Sequence, residues 1–131
     1  MRALQAKLAE HGVPFGHWTF LRILWERDGL TQRELSDEAG VMEPTTFSAL
    51  KSMEALGYIV RRRRPENRKN IYVHLTAKGR ALEKRLVPLA EEVNDLAVRG
   101  VPRAKEAAAR ATLLAIIDNL QAQKPRRILR R

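Results

Sequence analysis

Apolar side chains recur at helical spacing along the first forty residues, in stretches separated by glycine or proline. Residues 2–10 are predicted to form a short helix, because two leucines in this segment are one helical turn apart. A strongly apolar helix is predicted from Phe15 to Asp28, and Gly29 is typical of a helix end. The sequence TQRE at 31–34 has the pattern of a capping box, which predicts that another helix begins there.

The next predicted helix, EPTTFSALKSMEALG at 43–57, has a proline in its first turn and a glycine past its end. At about 100° per residue, its apolar stripe contains Thr46, Ala49, Leu50 and Met53. A helix surface that enters the major groove of DNA must avoid bulk and negative charge. The opposite side of this helix meets that condition, because it has small groups, one lysine and no carboxylate: Thr45, Ser48, Lys51, Ser52 and Ala55.

Two segments with β-branched and aromatic residues follow, YIVRRRR at 58–64 and IYVHL at 71–75. The six residues between them, PENRKN at 65–70, contain turn formers. Together they predict a β-hairpin with a basic tip. Folding alone explains this charge poorly, because like charges on facing strands repel one another, and an anionic partner removes the conflict.

Two long helices are predicted in the last part of the chain. Thr76 caps the first, which ends at Gly100, and its apolar positions follow a heptad-like 4, 3, 4, 3 spacing. Pro88 lies in this helix and predicts a kink. Pro102 begins the second helix, which extends to about Ala122 and is apolar over more than one stripe. It therefore has to pack against more than one neighbour.

Composition indicates a phosphate-bearing partner. The 131 residues include 25 Lys and Arg against 15 Asp and Glu, for a formal net charge of +10. The surplus is concentrated in two short stretches, 61–70 and 124–131. A surface this basic favours nucleic acid or anionic lipid.

A membrane is excluded as the main partner. No apolar run approaches the roughly 18 residues that cross a bilayer, and the first twelve residues lack the apolar stretch of a signal peptide. The basic C-terminal segment is short and poor in the large apolar residues that anchor a surface helix. We therefore expect a cytoplasmic protein with no membrane partner.

Catalysis and metal binding are also excluded at this stage. The chain has no cysteine, which rules out a disulfide framework, a thiolate metal site and a cysteine nucleophile. Its histidines, His11, His17 and His74, lie on separate predicted elements without metal-ligand spacing or an evident carboxylate partner. The sequence has no glycine-rich phosphate loop and no nucleophile elbow. We expect no enzyme activity, no catalytic residue, no metal and no cofactor.

The order of elements predicts the fold class. A capped helix, a tight glycine-containing turn and a helix with a polar outer face form a helix-turn-helix, and the basic hairpin directly after it forms a wing. The fold class is therefore mainly α with a small β wing, a winged helix-turn-helix with a helical dimerisation region. In DNA-binding proteins of this kind the second helix contacts base edges, while arginines of the wing contact phosphate or the minor groove.

The motifs LTQRELS, MEALGYIVR and NRK before IYVHLTAKG, with the closing helices, resemble the MarR family of bacterial transcription regulators over residues 13–122. The resemblance implies a homodimer on a palindromic operator, with repression relieved by a small aromatic or phenolic ligand. Residues 1–131 then form one domain, with the winged helix-turn-helix at 13–76, helical dimerisation segments at 1–12 and 77–122, and a basic tail at 123–131. The wing has Asn67, Arg68 and Lys69 where the family usually has Asp-Arg-Arg. Asn67 can form hydrogen bonds, but it cannot form the ion pair of an aspartate.

The candidate site residues fall into two groups. The candidates for DNA contact are Arg33, Thr45, Thr46, Phe47, Ser48, Lys51, Ser52, Arg61, Arg62, Arg63, Arg64, Asn67, Arg68 and Lys69. Phe47 either contacts a thymine methyl group or closes the core, and the arginines of the strand alternate, so about half of them face DNA. The candidates for ligand contact are His17, Trp18, Leu21 and Trp25, whose alternative role is core packing. The alternative function is that of a ligand-independent or architectural winged-helix DNA-binding protein.

Overall fold

The computed structural model describes residues 2–123. The basic segment 124–131, which the sequence singles out for its charge, lies outside the described residues. The described elements are six helices and two strands: α1 (Arg2–Glu10), α2 (Phe15–Glu26), α3 (Gln32–Ala39), α4 (Glu43–Ala55), β1 (Ile59–Arg64), β2 (Asn67–Leu75), α5 (Ala77–Ala97) and α6 (Arg103–Ala122). The predicted fold class, mainly α with a small β wing, is confirmed.

The start of α3 is fixed by the capping box that the sequence predicts. The hydroxyl oxygen of Thr31 accepts a hydrogen bond of 3.1 Å from the Glu34 backbone N–H. The Glu34 carboxylate in turn accepts one of 2.9 Å from the Thr31 N–H. Gly40 ends the helix in the left-handed region, at a φ of 70°. The short α3–α4 connection then leads directly into the second helix of the helix-turn-helix.

The wing, the hairpin formed by β1 and β2, is longer and tighter than the sequence predicts. The strands are antiparallel, with Ile59 opposite Leu75 and Arg64 opposite Asn67. The predicted six-residue tip is therefore wrong, because only Pro65 and Glu66 lie between the strands. The side chain of Asn67 is used inside the strand, where its amide nitrogen donates to the hydroxyl oxygen of Tyr72 at 3.3 Å.

A short segment before α3 also pairs with the wing. The Gly29 N–H donates to the carbonyl oxygen of Val73 at 3.0 Å, and the Val73 N–H donates to the carbonyl oxygen of Leu30 at 2.8 Å. Thr31 then forms an isolated β-bridge with Tyr72. The base of the wing is thus hydrogen-bonded to the connection between α2 and α3.

Residues up to Val93 form one compact unit with a continuous apolar core. Helix α2 packs against α1, α3, α4 and β2. Every element of this unit contributes at least one fully buried apolar side chain, and these include Leu8, Leu21, Leu24, Leu35, Leu50, Met53, Ile59, Val73 and Leu86. Helix α5 continues through Pro88 as one helix from Ala77 to Ala97.

The second unit, from Asn94 onward, contains α6. No residue of this helix is buried. Its large apolar side chains are exposed by 45–68%: Leu113, Leu114, Ile116, Ile117 and Leu120. None of the helices between residues 2 and 123 combines the length and the apolar character that a membrane span needs.

Candidate nucleic-acid interface

Helix α4, here called the recognition helix, is anchored in the core by one face and leaves the other face open. Leu50 and Met53 are fully buried. The side predicted to face DNA is exposed: Thr45, Ser48, Lys51, Ser52 and Ala55. From Pro44 to Met53 the helix has no acidic residue. The helix therefore presents a surface of small groups and one cation, which can approach polyanionic DNA closely.

Thr46 is the one predicted contact residue of this helix that the structure buries. Its exposed fraction is 0%, and its hydroxyl oxygen lies 2.7 Å from the hydroxyl oxygen of Ser36 on α3. The predicted contact of Thr46 with DNA is therefore wrong, because a buried hydroxyl that is already hydrogen-bonded cannot reach a base edge. Its role is to join the two helices of the helix-turn-helix. Its position on the apolar stripe was the signal for this role.

Two large apolar side chains at the recognition helix are exposed. Phe47 is 46% exposed, and the Arg61 guanidinium lies 5.2 Å from the centre of its ring. Met42, the residue before the helix, is 77% exposed. Sequence reasoning missed Met42 because it precedes the helical periodicity.

The basic residues of the wing divide into exposed and engaged side chains. Arg62, Arg68 and Lys69 are exposed. Arg64 stacks on the wing's own aromatic ring, with its guanidinium 3.7 Å from the centre of Tyr72. The run does not alternate strictly, because Arg62 and Arg63 are both exposed while Arg61 and Arg64 are partly buried, and the strand pairing is irregular between Arg62 and Arg64.

Arg63 holds the wing together across the hairpin. Its guanidinium Nη1 donates to the carbonyl oxygen of Arg68 at 2.6 Å and to that of Lys69 at 3.4 Å. Because these bonds join β1 to the start of β2, they support the backbone on which the exposed cations of the wing stand.

Arg61 does not point outward. Its side chain is only 17% exposed and forms an ion pair with Glu54 of the recognition helix, with Nη2 3.0 Å from Oε1. Its Nη1 also donates to the side-chain oxygen of Gln32 on α3 at 3.2 Å. The predicted direct contact of Arg61 with DNA is therefore wrong for this structure, because the guanidinium is occupied inside the protein.

A shallow groove connects the start of α3 to the wing. It has a volume of about 150 Å³, and Thr31, Arg33, Lys69 and Asn70 contribute to its lining. Arg33 is 78% exposed, and its Nε lies 3.7 Å from the Glu43 carboxylate. An exposed pair at this distance contributes little to stability, so Arg33 can exchange this partner for a phosphate. The fold thus brings together two predicted phosphate contacts that are distant in the sequence.

The predicted ligand residues lie in the core of the first unit. His17, Trp18 and Leu21 are buried. Trp25 is half-buried and packs edge-on against Trp18, with ring centres 5.8 Å apart. The indole N–H of Trp25 donates to the carbonyl oxygen of Gly79 at 3.0 Å.

His17 is the polar member of this aromatic group. Its ring packs edge-on against Tyr58, with centres 6.4 Å apart. The buried Nδ1 has no hydrogen-bond partner among the described residues, and burial lowers the pKa of this imidazole below 6.5. Within residues 2–123 no group of three or more histidine or acidic side chains could hold a metal ion.

Comparison with known proteins identifies the family. A family model described as the MarR family matches residues 16–71. An HTH-type transcriptional repressor of Mycobacterium bovis (strain ATCC BAA-935 / AF2122/97) is 30% identical over 105 residues, covering 79% of this chain and 76% of the relative. The HTH-type transcriptional regulator TtmR of Methylorubrum extorquens (strain PA1) is 30% identical over 95 residues, covering 72% of this chain and 49% of the relative. The chain thus spans about half the length of this curated relative and of two others, at 51% and 52%.

The fold agrees with a solved structure of a MarR family transcriptional regulator from Listeria monocytogenes complexed with 26mer DNA. The TM-score is 0.80 at 24% identity, with 89% of this chain and 78% of the other covered. MarR-family transcriptional regulators are non-enzymatic DNA-binding proteins. The winged helix-turn-helix, the family model and the repressor of M. bovis lead to the same conclusion: the chain belongs to the MarR family of transcriptional regulators.

Proposed function

We propose that this chain is a sequence-specific regulator of transcription that binds double-stranded DNA, most simply as a repressor. The observation that carries the proposal is the carboxylate-free open face of the recognition helix beside a wing with exposed Arg62, Arg68 and Lys69. Two adjacent surfaces of this kind fit the major groove and the flanking phosphates of one duplex. The M. bovis relative, described as a repressor, and the L. monocytogenes structure with DNA support it. Because the proposed function is exercised on DNA, we propose that the protein is located in the cytoplasm.

We propose that the chain acts as a homodimer. Five large apolar side chains of α6 are exposed in the single chain, from Leu113 to Leu120. Apolar surface of this extent is costly in water and marks an interaction site. A second copy is the simplest partner, because a two-fold dimer also carries two recognition helices onto the two halves of a palindromic operator.

We further propose that a small aromatic or phenolic ligand releases the protein from DNA. The buried Nδ1 of His17, whose ring packs against Tyr58, supports it, because an acidic ligand would satisfy this nitrogen. The burial of Leu21 and Trp18 in the core supports the alternative, a ligand-independent or architectural DNA-binding protein. Addition of a panel of phenolic acids to a protein–DNA complex separates the two, because only the first releases DNA.

Selection of duplexes from a random pool tests sequence-specific binding. We expect enrichment of a palindrome with half-sites about one helical turn apart, roughly 34–36 Å. At fixed salt the selected duplex should bind about 10³-fold or more tightly than random duplex. Lys51→Ala should change the selected sequence, while Arg68→Ala should weaken binding to all duplexes alike. A pool that stays random after repeated selection would overturn the proposal.

A further inference from the structure

One guanidinium joins the three elements that face the proposed DNA site. Arg61 begins the arginine run of β1, and its Nε and Nη2 donate to Glu54 Oε1 on the recognition helix at 3.1 and 3.0 Å. Its backbone N–H donates to the other oxygen of the same carboxylate at 3.2 Å. Its Nη1 donates to Gln32 Oε1 at the start of α3, at 3.2 Å. The wing, the recognition helix and α3 therefore meet at a single side chain.

The same guanidinium also lies beside the exposed Phe47 ring on the flank of the recognition helix. It is 5.2 Å from the centre of the Phe47 ring, within the range of a cation–π contact. Phe47 is two turns before Glu54, so Arg61 contacts the recognition helix at two places along its length. A planar fork with five donors can make all these contacts at once, whereas the point charge of lysine cannot.

The low exposure of Arg61 and its engagement by two partners argue against a direct role in DNA contact. The Arg61 side chain is 17% exposed and the Glu54 side chain 38%. The neighbouring Arg62 is exposed. A phosphate could attract the Arg61 guanidinium only after the ion pair with Glu54 and the bond to Gln32 had been broken. A side chain held in this way fixes geometry more than it supplies charge.

We propose that Arg61, anchored by Glu54, is a positioning residue that sets the placement of the wing relative to the recognition helix and thereby supports discrimination between DNA sequences. The inference rests on the proposed function. Arg61 then affects DNA binding by holding the wing and the recognition helix in a placement that lets both fit one duplex at once. Binding to random duplex does not require this simultaneous fit.

Salt dependence separates a positioning residue from a phosphate contact. The slope of log K against log salt is negative, and a residue that neutralises one phosphate contributes about 0.9 to its magnitude. For Arg61→Ala we expect an unchanged slope and a roughly tenfold or greater loss of preference for the selected duplex over random duplex, comparable to losing one base contact. For Arg62→Ala we expect the magnitude of the slope to fall by about 0.9, with both affinities reduced together. A slope that falls equally in Arg61→Ala would overturn the inference.

Removal of the anchor gives the second test. Glu54→Ala removes a negative charge near DNA, so electrostatics alone predicts tighter binding to every duplex. The proposal instead predicts the same loss of preference as in Arg61→Ala, with no further loss in the double variant, because both changes break one unit. Arg61→Lys keeps the charge and should not restore the preference. Tighter binding of Glu54→Ala to all duplexes, or full preference in Arg61→Lys, would contradict the role.

An exposed ion pair away from the recognition helix provides the control for loss of one arginine charge. Arg27 and Glu38 lie 3.3 Å apart and join α2 to α3 outside the open face of the recognition helix. Arg27→Ala should leave both the slope and the preference unchanged. Should Arg61→Ala fail to fold, Arg61→Lys and Glu54→Gln carry the same test, with folding monitored by thermal unfolding. A wild-type chain without any preference would overturn the proposed function and this inference with it, whereas preference retained in all variants would overturn this inference alone.

Discussion

Gly79 occupies a position in the first turn of α5 where a side chain does not fit. A Cβ atom at this position would collide with the carbonyl oxygen of Tyr58 and lie 3.1 Å from Leu75 Cδ2. Helix propensity alone predicts that Gly79→Ala stabilises the protein by up to about 1 kcal/mol. The structure predicts the opposite sign.

The size of the effect follows from what has to move. Carbon and oxygen atoms approach to about 3.3 Å, so the backbones of Tyr58 and Gly79 must separate by roughly 1 Å. Two hydrogen bonds resist this separation: the Thr76 N–H donates to the carbonyl oxygen of Tyr58 at 3.0 Å, and the Trp25 indole N–H donates to that of Gly79 at 3.0 Å. Weakening both costs about 2 kcal/mol, and overpacking adds at least about 1 kcal/mol. After the gain in helix propensity, the net destabilisation is about 2 kcal/mol.

Thermal and urea unfolding of Gly79→Ala measure this destabilisation directly. A loss of about 2 kcal/mol lowers the melting temperature by roughly 8–16 °C in a unit of this size. Gly16→Ala is the matched control, because Gly16 also lies in the first turn of a helix and a Cβ there meets nothing within 4 Å. This control should be neutral or stabilised by up to about 1 kcal/mol. Equal stabilisation of both variants would refute the reasoning, because it would mean that the contact between α5 and Tyr58 is loose.

Three further predictions concern charge, pH and assembly. Arg68→Ala should lower the magnitude of the negative slope of log K against log salt by about 0.9 on any duplex, measured by fluorescence anisotropy, and an unchanged slope would remove Arg68 from the phosphate contacts. Burial lowers the pKa of His17 in the folded state, so the unfolded chain binds the proton more readily and stability should fall as the pH drops below about 6.5. In urea unfolding from pH 5 to 8, His17→Gln should flatten this dependence, which cannot exceed about 1.4 kcal/mol per pH unit for one proton, and a slope equal to that of wild type would contradict the assignment. Ile117→Asp should convert the proposed dimer to a monomer at micromolar concentration in light scattering, and a wild-type monomer would contradict the role of α6.

Local signals in the sequence are sufficient for most of the helical fold. The capping box at Thr31 gives the start of α3 to the residue, because its two hydrogen bonds depend only on residues three positions apart. The open face of the recognition helix follows from periodicity, since the apolar residues Leu50 and Met53 define the buried side. The wing follows from β-branched and aromatic residues, although its turn is shorter than Asn67 and Asn70 suggest. Turn propensity was outweighed there by pairing along the strands.

Long-range contacts are what the sequence does not contain. Thr46 is hydrogen-bonded to Ser36, and Arg61 is bonded to Glu54 and Gln32. These partners come within hydrogen-bond distance only when α3, the recognition helix and the wing pack together. An arginine run in a strand predicts alternation, but which arginine faces inward depends on the neighbouring helix.

A chemical footprint on the selected duplex tests the central claim most directly, because the claim is that the recognition helix enters the major groove while the wing contacts the flanking backbone. Methylation of guanine N7 reports the major groove, and hydroxyl-radical cleavage reports the sugars along the backbone. We predict two patches of N7 protection about 10–10.5 base pairs apart, with backbone protection outside each patch that Arg68→Ala removes. Uniform protection along the duplex, or full reactivity of N7 in the bound duplex, would contradict it.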